Sequence, residues 1–230
     1  MTVNQAETAA LFEAIRAGND LAVDTAVDTD GALLRSHDGA GFSPLVAAAS
    51  VGNVRLAERL AARLIKSADG IGFFDAAAVG NVPAVRHMLS TDQAAVDDRG
   101  PDGCTALHLA ARFGQMEVAR LLLGRGADPN AITLNGERVT PLYAAVLAKH
   151  RDTASLLLAL GASPNSVQHG GWTALHAAAL NGDQAIVDML QLRGADPTRP
   201  SDDGRTAIDL AEQNGHGALA KVLRMAATKR

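Results

Sequence analysis

The side chains that could do chemistry in this chain are few and scattered: seven histidines and a single cysteine in 230 residues. Metal binding or hydrolysis needs such groups at ligand or acid–base spacing, as in the HExxH pattern on a helix face. No histidine here forms that cluster, and His37, His87 and His169 stand without a cysteine or carboxylate at ligand spacing. Cys104 has no second cysteine to pair with, fits a reducing compartment and reads as an ordinary thiol. The glycines of Gly70-Ile-Gly72 and Gly100-Pro-Asp-Gly103 lack the strand-to-helix setting and the Lys-Ser/Thr partner that cradle phosphate, so they read as turns. The adjacent carboxylates Asp97–Asp98 and Asp202–Asp203 read as solvated, turn-forming residues. These side chains point away from catalysis, and no cofactor or metal is expected.

What organises the chain is a repeat. Thr105-Ala-Leu-His108, Thr140-Pro-Leu-Tyr143, Thr173-Ala-Leu-His176 and Thr206-Ala-Ile-Asp209 are copies of one box, and Ser43-Pro-Leu-Val46 is a fifth. The leucine-type position recurs as Leu11, Leu45, Phe73, Leu107, Leu142, Leu175 and Ile208, in steps of 34, 28, 34, 35, 33 and 33 residues. Seven residues further on, a breaker recurs as Gly18, Gly52, Gly80, Gly114, Gly182 and Gly215, with Lys149 the one departure.

One unit shows why this pattern makes two helices. The Thr105 hydroxyl can cap a helix start, and Pro44 or Pro141 suits the first helical position. Gly114 can take the left-handed conformation that ends this helix, and Val118, Leu121 and Leu122 then form the apolar stripe of a second. The turns Ala127-Asp-Pro-Asn130, Ala162-Ser-Pro-Asn165 and Ala195-Asp-Pro-Thr198 lead outward to polar, β-like fingers that return at the next Thr. The finger over residues 132–139 is two residues longer than its neighbours. Its Asn135–Gly136 pair, set between alternating apolar arms, predicts a tight hairpin that protrudes.

The box, the Gly break and the Gly-Ala-Asp-x-Asn turn together resemble the ankyrin repeat, whose unit is about 33 residues. The resemblance implies an all-α ankyrin-repeat solenoid of about seven helix-turn-helix units with β-hairpin-like fingers. A single domain is expected over 1–230: a cap repeat over 1–40, degenerate repeats over 41–102, regular repeats over 103–203 and a C-terminal cap repeat over 204–230. The 28-residue step into the third unit predicts that the finger after Leu64–Gly70 is missing. The resemblance also gives His108 and His176 a structural role, bonding across the helix-starting turn. Two repeats separate them by roughly 20 Å, too far to share a metal. His150 and His216, just after the breaks, read as polar starts of second helices.

In the ankyrin pattern the positions just before the Thr and just before the break face a concave groove without structural duty. Here they are Phe42, Val139, Trp172 and Arg205, and Val51, Val79, Arg112, Phe113, Leu147, Asn181 and Gln213. This set holds the only Trp and two of the five Phe. Aromatic and Arg anchors with a polar rim have the composition of a protein interface.

Composition sets the remaining bounds. Apolar residues make up 47% of the chain, enough for a core, but aromatics are 3%, which leaves Ala, Leu and Val to build it. The formal charge is −4, and no Lys/Arg run exceeds Lys229–Arg230, so no footprint for nucleic acid exists. The first ten residues carry Glu7 and no cation, the wrong order for a secretory signal. Residues 153–182 lack Asp, Glu, Lys and Arg, yet Pro164 and Gly170–Gly171 interrupt them, so no membrane span is expected. The expectation is a cytoplasmic, monomeric, non-enzymatic scaffold, an adaptor or inhibitor that binds another protein. Its alternatives are a self-associating spacer, or a hydrolase or metalloprotein on a repeat scaffold.

Overall fold

A computed structural model describes residues 4–67, 70–91 and 96–228. Part of the predicted missing-finger segment, residues 68 and 69, and the terminal pair 229–230 lie outside the described residues. The contacts gather into two compact units, Met1–Ala106 and Leu107–Arg230. Among the described residues the structure is helical, with no strand beyond an isolated antiparallel bridge between Arg99 and Thr105.

The first unit holds α1 (Gln5–Arg16), α2 (Asp20–Thr29), α3 (Pro44–Ser50), α4 (Val54–Lys66), α5 (Phe73–Ala78) and α6 (Val82–Thr91). Asparagines start several of them: Asn4, Asn19 and Asn53 each accept a backbone N–H of the first turn through Oδ1. Leu11, Phe12, Ile15, Leu45, Leu56, Leu60 and Leu64 are fully buried. Each such side chain contributes roughly 1.5–3 kcal/mol when taken from water.

Six residues join α4 to α5. The Arg35 guanidinium holds that connection, donating to Ser67 Oγ at 3.0 Å and to the Gly70 carbonyl at 2.7 Å. The flanking fingers, closed by Asp38 N–H to Phe42 O at 3.0 Å and Gly100 N–H to Cys104 O at 2.8 Å, then stack directly. A Cβ on Gly41 would sit 2.4 Å from the Pro101 backbone, so only glycine permits this approach. Asp75 of α5 lies against α3, where its carboxylate accepts the hydroxyl of the cap residue Ser43. Burial is the main cause that raises the Asp75 pKa above 3.8; Ser43, His37 and Arg35 oppose it and Asp102 adds to it.

The second unit holds α7 (Ala106–Arg112), α8 (Met116–Gly124), α9 (Pro141–Leu147), α10 (Arg151–Ala159), α11 (Ala174–Asn181), α12 (Gln184–Leu192), α13 (Ala207–Gln213) and α14 (Gly217–Ala227). Buried leucines 107, 122, 142, 157, 175, 190, 210 and 223 alternate with fully buried alanines, and these small side chains let short helices approach closely. Gly114 and Gly182 end α7 and α11 at φ +70° and +68°. Packing adds a second constraint: a Cβ at either site would lie 2.5 Å from the ring of His150 or His216, one repeat further on. Lys149 ends α9 in the same left-handed conformation, φ +64°, despite its side chain.

The finger over 132–139 departs from the hairpin expected of Asn135–Gly136. One backbone bond, Thr133 N–H to Val139 O at 3.0 Å, closes it, and no ladder follows. The Asn135 carboxamide oxygen instead accepts Thr133 Oγ at 2.8 Å and Glu137 N–H at 3.2 Å, and this local turn competes successfully with strand pairing. Residues 134–138 are exposed.

Two stability predictions follow from these strained and buried groups. Lys149→Gly removes a left-handed penalty of about 1–2 kcal/mol against a chain-entropy cost of about 0.4–1. It should therefore raise the melting temperature; a drop would refute the strain assignment. For Asp75, a folded pKa above the unfolded one means that stability is greatest below the unfolded pKa and falls as pH rises through the folded pKa. Asp75→Asn, which keeps an acceptor for Ser43, should melt higher than wild type near neutral pH and converge with it toward acid pH. A constant difference across that titration would contradict the burial argument.

Candidate protein-binding surface

In the second unit three fingers are each closed onto the residue that precedes a helix-starting Thr. The bonds are Thr133 N–H to Val139 O at 3.0 Å, Gln168 N–H to Trp172 O at 2.8 Å and Ser201 N–H to Arg205 O at 2.8 Å. The first spans six residues and the others four, which is the extra length of the 132–139 finger. The carbonyls of Val139 and Arg205 also accept from the preceding repeat: His108 Nε2 donates to Val139 O at 2.8 Å, and His176 Nε2 to Arg205 O at 3.2 Å. His176 Nδ1 accepts the Thr173 N–H at 3.1 Å and its hydroxyl at 2.8 Å. Burial pushes the His176 pKa down, which keeps the ring in the neutral form this double role requires.

Position 143 holds Tyr where these two repeats hold His. The Thr140 N–H is served from the next finger instead, by Gln168 Oε1 at 2.8 Å. Gln168 is buried, and its amide nitrogen also donates to Ser166 O at 3.2 Å. In the last repeat Asp209 performs the task, accepting Thr206 N–H at 2.8 Å and Thr206 Oγ at 2.7 Å. Asn130 and Asn165 tie the outer turns, each donating to a carbonyl and accepting an N–H one repeat on: Gly161 O and Ser163 N–H, Gly194 O and Asp196 N–H.

On this frame Trp172 is half-buried, with the Arg205 guanidinium 5.9 Å from its ring centroid and the His176 ring at 5.8 Å. Arg205 is fixed by Asp203, whose Oδ2 accepts Nε at 2.7 Å, while Ser201 Oγ donates to Asp203 Oδ1 at 2.6 Å. Arg205 foremost, then Ser201, holds the Asp203 carboxyl far below the usual carboxylate range. Arg112 lies over the half-buried Phe113 ring at 5.7 Å, and Leu147 is 48% exposed at the end of α9.

Asn181 differs from its expected freedom. Its Nδ2 donates to Val146 O at 3.0 Å and Leu147 O at 3.3 Å, so it stitches α11 to the end of α9. Val139 is half-buried and Gln213 exposed. Phe42, Val51 and Val79 lie in the first unit, where Phe42 is the half-buried closing residue of its finger and Val51 and Val79 follow α3 and α5. The positional rule passes over Leu134, 68% exposed at the finger tip; its sequence signal is the longer loop. Among the described residues no group of three His, Cys, Asp or Glu could hold a metal ion, and no helix is long and apolar enough to cross a membrane.

Paired short helices, left-handed breaks and finger-to-finger ties define an all-α helical-repeat protein. The family described as "Ankyrin repeats (3 copies)" matches residues 73–168 and 160–229, and the chain belongs to the ankyrin-repeat family. It is 33% identical over 117 residues to Ankyrin repeat and KH domain-containing protein mask-1 of Caenorhabditis elegans, covering 48% of this chain and 4% of that protein. To Ankyrin repeat and SOCS box protein 3 of Bos taurus it is 36% identical over 103 residues, 42% of this chain and 19% of the relative. To BTB/POZ domain and ankyrin repeat-containing protein NH5.2 of Oryza sativa subsp. japonica it is 40% identical over 87 residues, 35% and 17% of the two chains. The chain thus spans a small part of the curated relatives it matches. Ankyrin repeats generally mediate protein–protein interaction and are generally not enzymatic.

The Gln168 substitution for a missing histidine is open to a direct check. Gln168→Ala leaves the buried Thr140 N–H unserved and should cost about 1–3 kcal/mol. Placing Tyr143→His in the same chain should recover much of that loss, measured as the coupling term of a double-mutant cycle in urea unfolding. Strict additivity would remove the proposed relation between the two sites.

Proposed function

We propose that this chain is a non-enzymatic interaction module, an adaptor or inhibitor, that binds another protein through the finger-side face of the second unit. The observation that carries this reading is the Trp172–Arg205 pair, an aromatic ring and a guanidinium presented together, with the cation held in place by Asp203. Trp and Arg dominate the energetics of protein interfaces when already positioned, because little side-chain freedom is lost on binding. Leu147 and the Arg112–Phe113 pair extend the apolar anchor on first helices of the same unit. The membership in a family of interaction modules supports the same reading.

The engagement of His108 and His176 in ties between repeats supports the non-enzymatic assignment, since both rings are committed to carbonyl acceptors. We place the protein in the cytoplasm, with no nucleic-acid or membrane partner, from its charge and its lone cysteine. Phe42, Val51 and Val79 occupy the corresponding repeat positions within the first unit, and we assign them to that unit's own binding surface.

The measurement is affinity for a partner isolated from native lysate and then purified. Leu147→Glu and Trp172→Ala, each shown by circular dichroism to remain folded, should weaken that complex at least about tenfold. Unchanged affinity in both variants would sink the surface assignment.

A further inference from the structure

The sequence holds three Asn-Gly pairs, at 135–136, 181–182 and 214–215. Chemically they are equivalent: a glycine after asparagine puts no side chain in the way of its own backbone nitrogen, which can attack the asparagine carboxamide carbon. The fold separates them. Asn181 ends α11, its Nδ2 is bonded to Val146 O and Leu147 O, and the Gly182 N–H donates to Ala179 O at 3.2 Å. Asn214 caps α13, its Nδ2 donates to Leu210 O at 2.9 Å, and the Gly215 N–H donates to Glu212 O at 3.0 Å. In both, the attacking nitrogen and the amide that must leave are held in a helix end.

Asn135 differs on each count. It is exposed on the 132–139 finger, and the Gly136 N–H makes no hydrogen bond within the protein. Its Nδ2 is likewise uncommitted, whereas its Oδ1 already accepts Thr133 Oγ and Glu137 N–H. Those two donors meet the negative charge that develops on this oxygen when the carbonyl carbon is attacked. We infer that Asn135 is a site of spontaneous self-modification, the one Asn-Gly pair of the three that the fold leaves free to cyclise.

The Gly136 nitrogen loses its proton to solvent base and bonds to Asn135 Cγ. The Cγ–Nδ2 bond breaks, Nδ2 takes up a proton and ammonia departs, leaving a five-membered succinimide. Water then opens either carbonyl of the ring, giving aspartate or isoaspartate; nothing is oxidised or reduced. The product places a new carboxylate next to Glu137, and the isoaspartate form lengthens the finger backbone by one methylene. This chemistry does not depend on the binding reading above.

The intact folded chain, incubated in mildly alkaline buffer and mapped by peptide mass spectrometry, should gain about 1 Da at Asn135. That gain should come at least about tenfold faster than at Asn181 or Asn214. In concentrated urea the three rates should converge, because the helix-end bonds that protect two of them are gone. Asn135→Gln should remove the early mass gain. Equal rates at all three sites in the folded protein, or a lead by Asn181 or Asn214, would overturn the inference, as would a large lead by Asn135 that persists in urea.

Discussion

From α3 onward each first helix of this protein is six to eight residues long, about two turns, so its start has nearly as many unpaired backbone N–H groups as its interior has paired ones. A buried N–H without an acceptor costs as much as a hydrogen bond contributes. Much of the structure depends on meeting that demand, and in several repeats it is met by groups that also join one repeat to the next.

The solutions differ, but the geometry they serve is constant. His176 reaches back to Thr173 through Nδ1 and forward to Arg205 O through Nε2, joining a helix cap and the following finger with one ring. Asp209 caps Thr206 in the last repeat. Tyr143 cannot accept through a ring nitrogen, and Gln168 supplies the acceptor from outside. Ser43 Oγ accepts the Val46 N–H and donates its own proton to Asp75 of the next repeat, whose burial raises its pKa. The breaks show a similar overlap of local and neighbouring demands: Gly114 and Gly182 satisfy a left-handed turn and clear room for the next repeat's histidine ring.

This division of labour leaves particular side chains available. The ties between repeats run through the backbone carbonyls of Val139 and Arg205, so the side chains at those positions are not consumed by them. Arg205 can therefore lie over Trp172 while its carbonyl holds the array together. Asn181 shows the opposite case, where the side chain itself is the tie. Position within the repeat nominates surface residues, but the bonding of each decides what it can offer a partner.

The sequence by itself determined the period, the capping residues, the breaks and the greater length of the 132–139 loop. All of these arise from steric and hydrogen-bonding preferences within a few residues of chain, and such preferences are written in local residue types and spacing. Tertiary structure decided which distant groups meet: Gln168 with Thr140, Asp75 with Ser43, His150 with Gly114, Gly41 with Pro101. It also decided that Asn135–Gly136 forms a side-chain-braced turn and not a hairpin. These pairs lie about one or two repeats apart, where stacking fixes the distances, and no local pattern reveals which of several polar neighbours will arrive within bonding range.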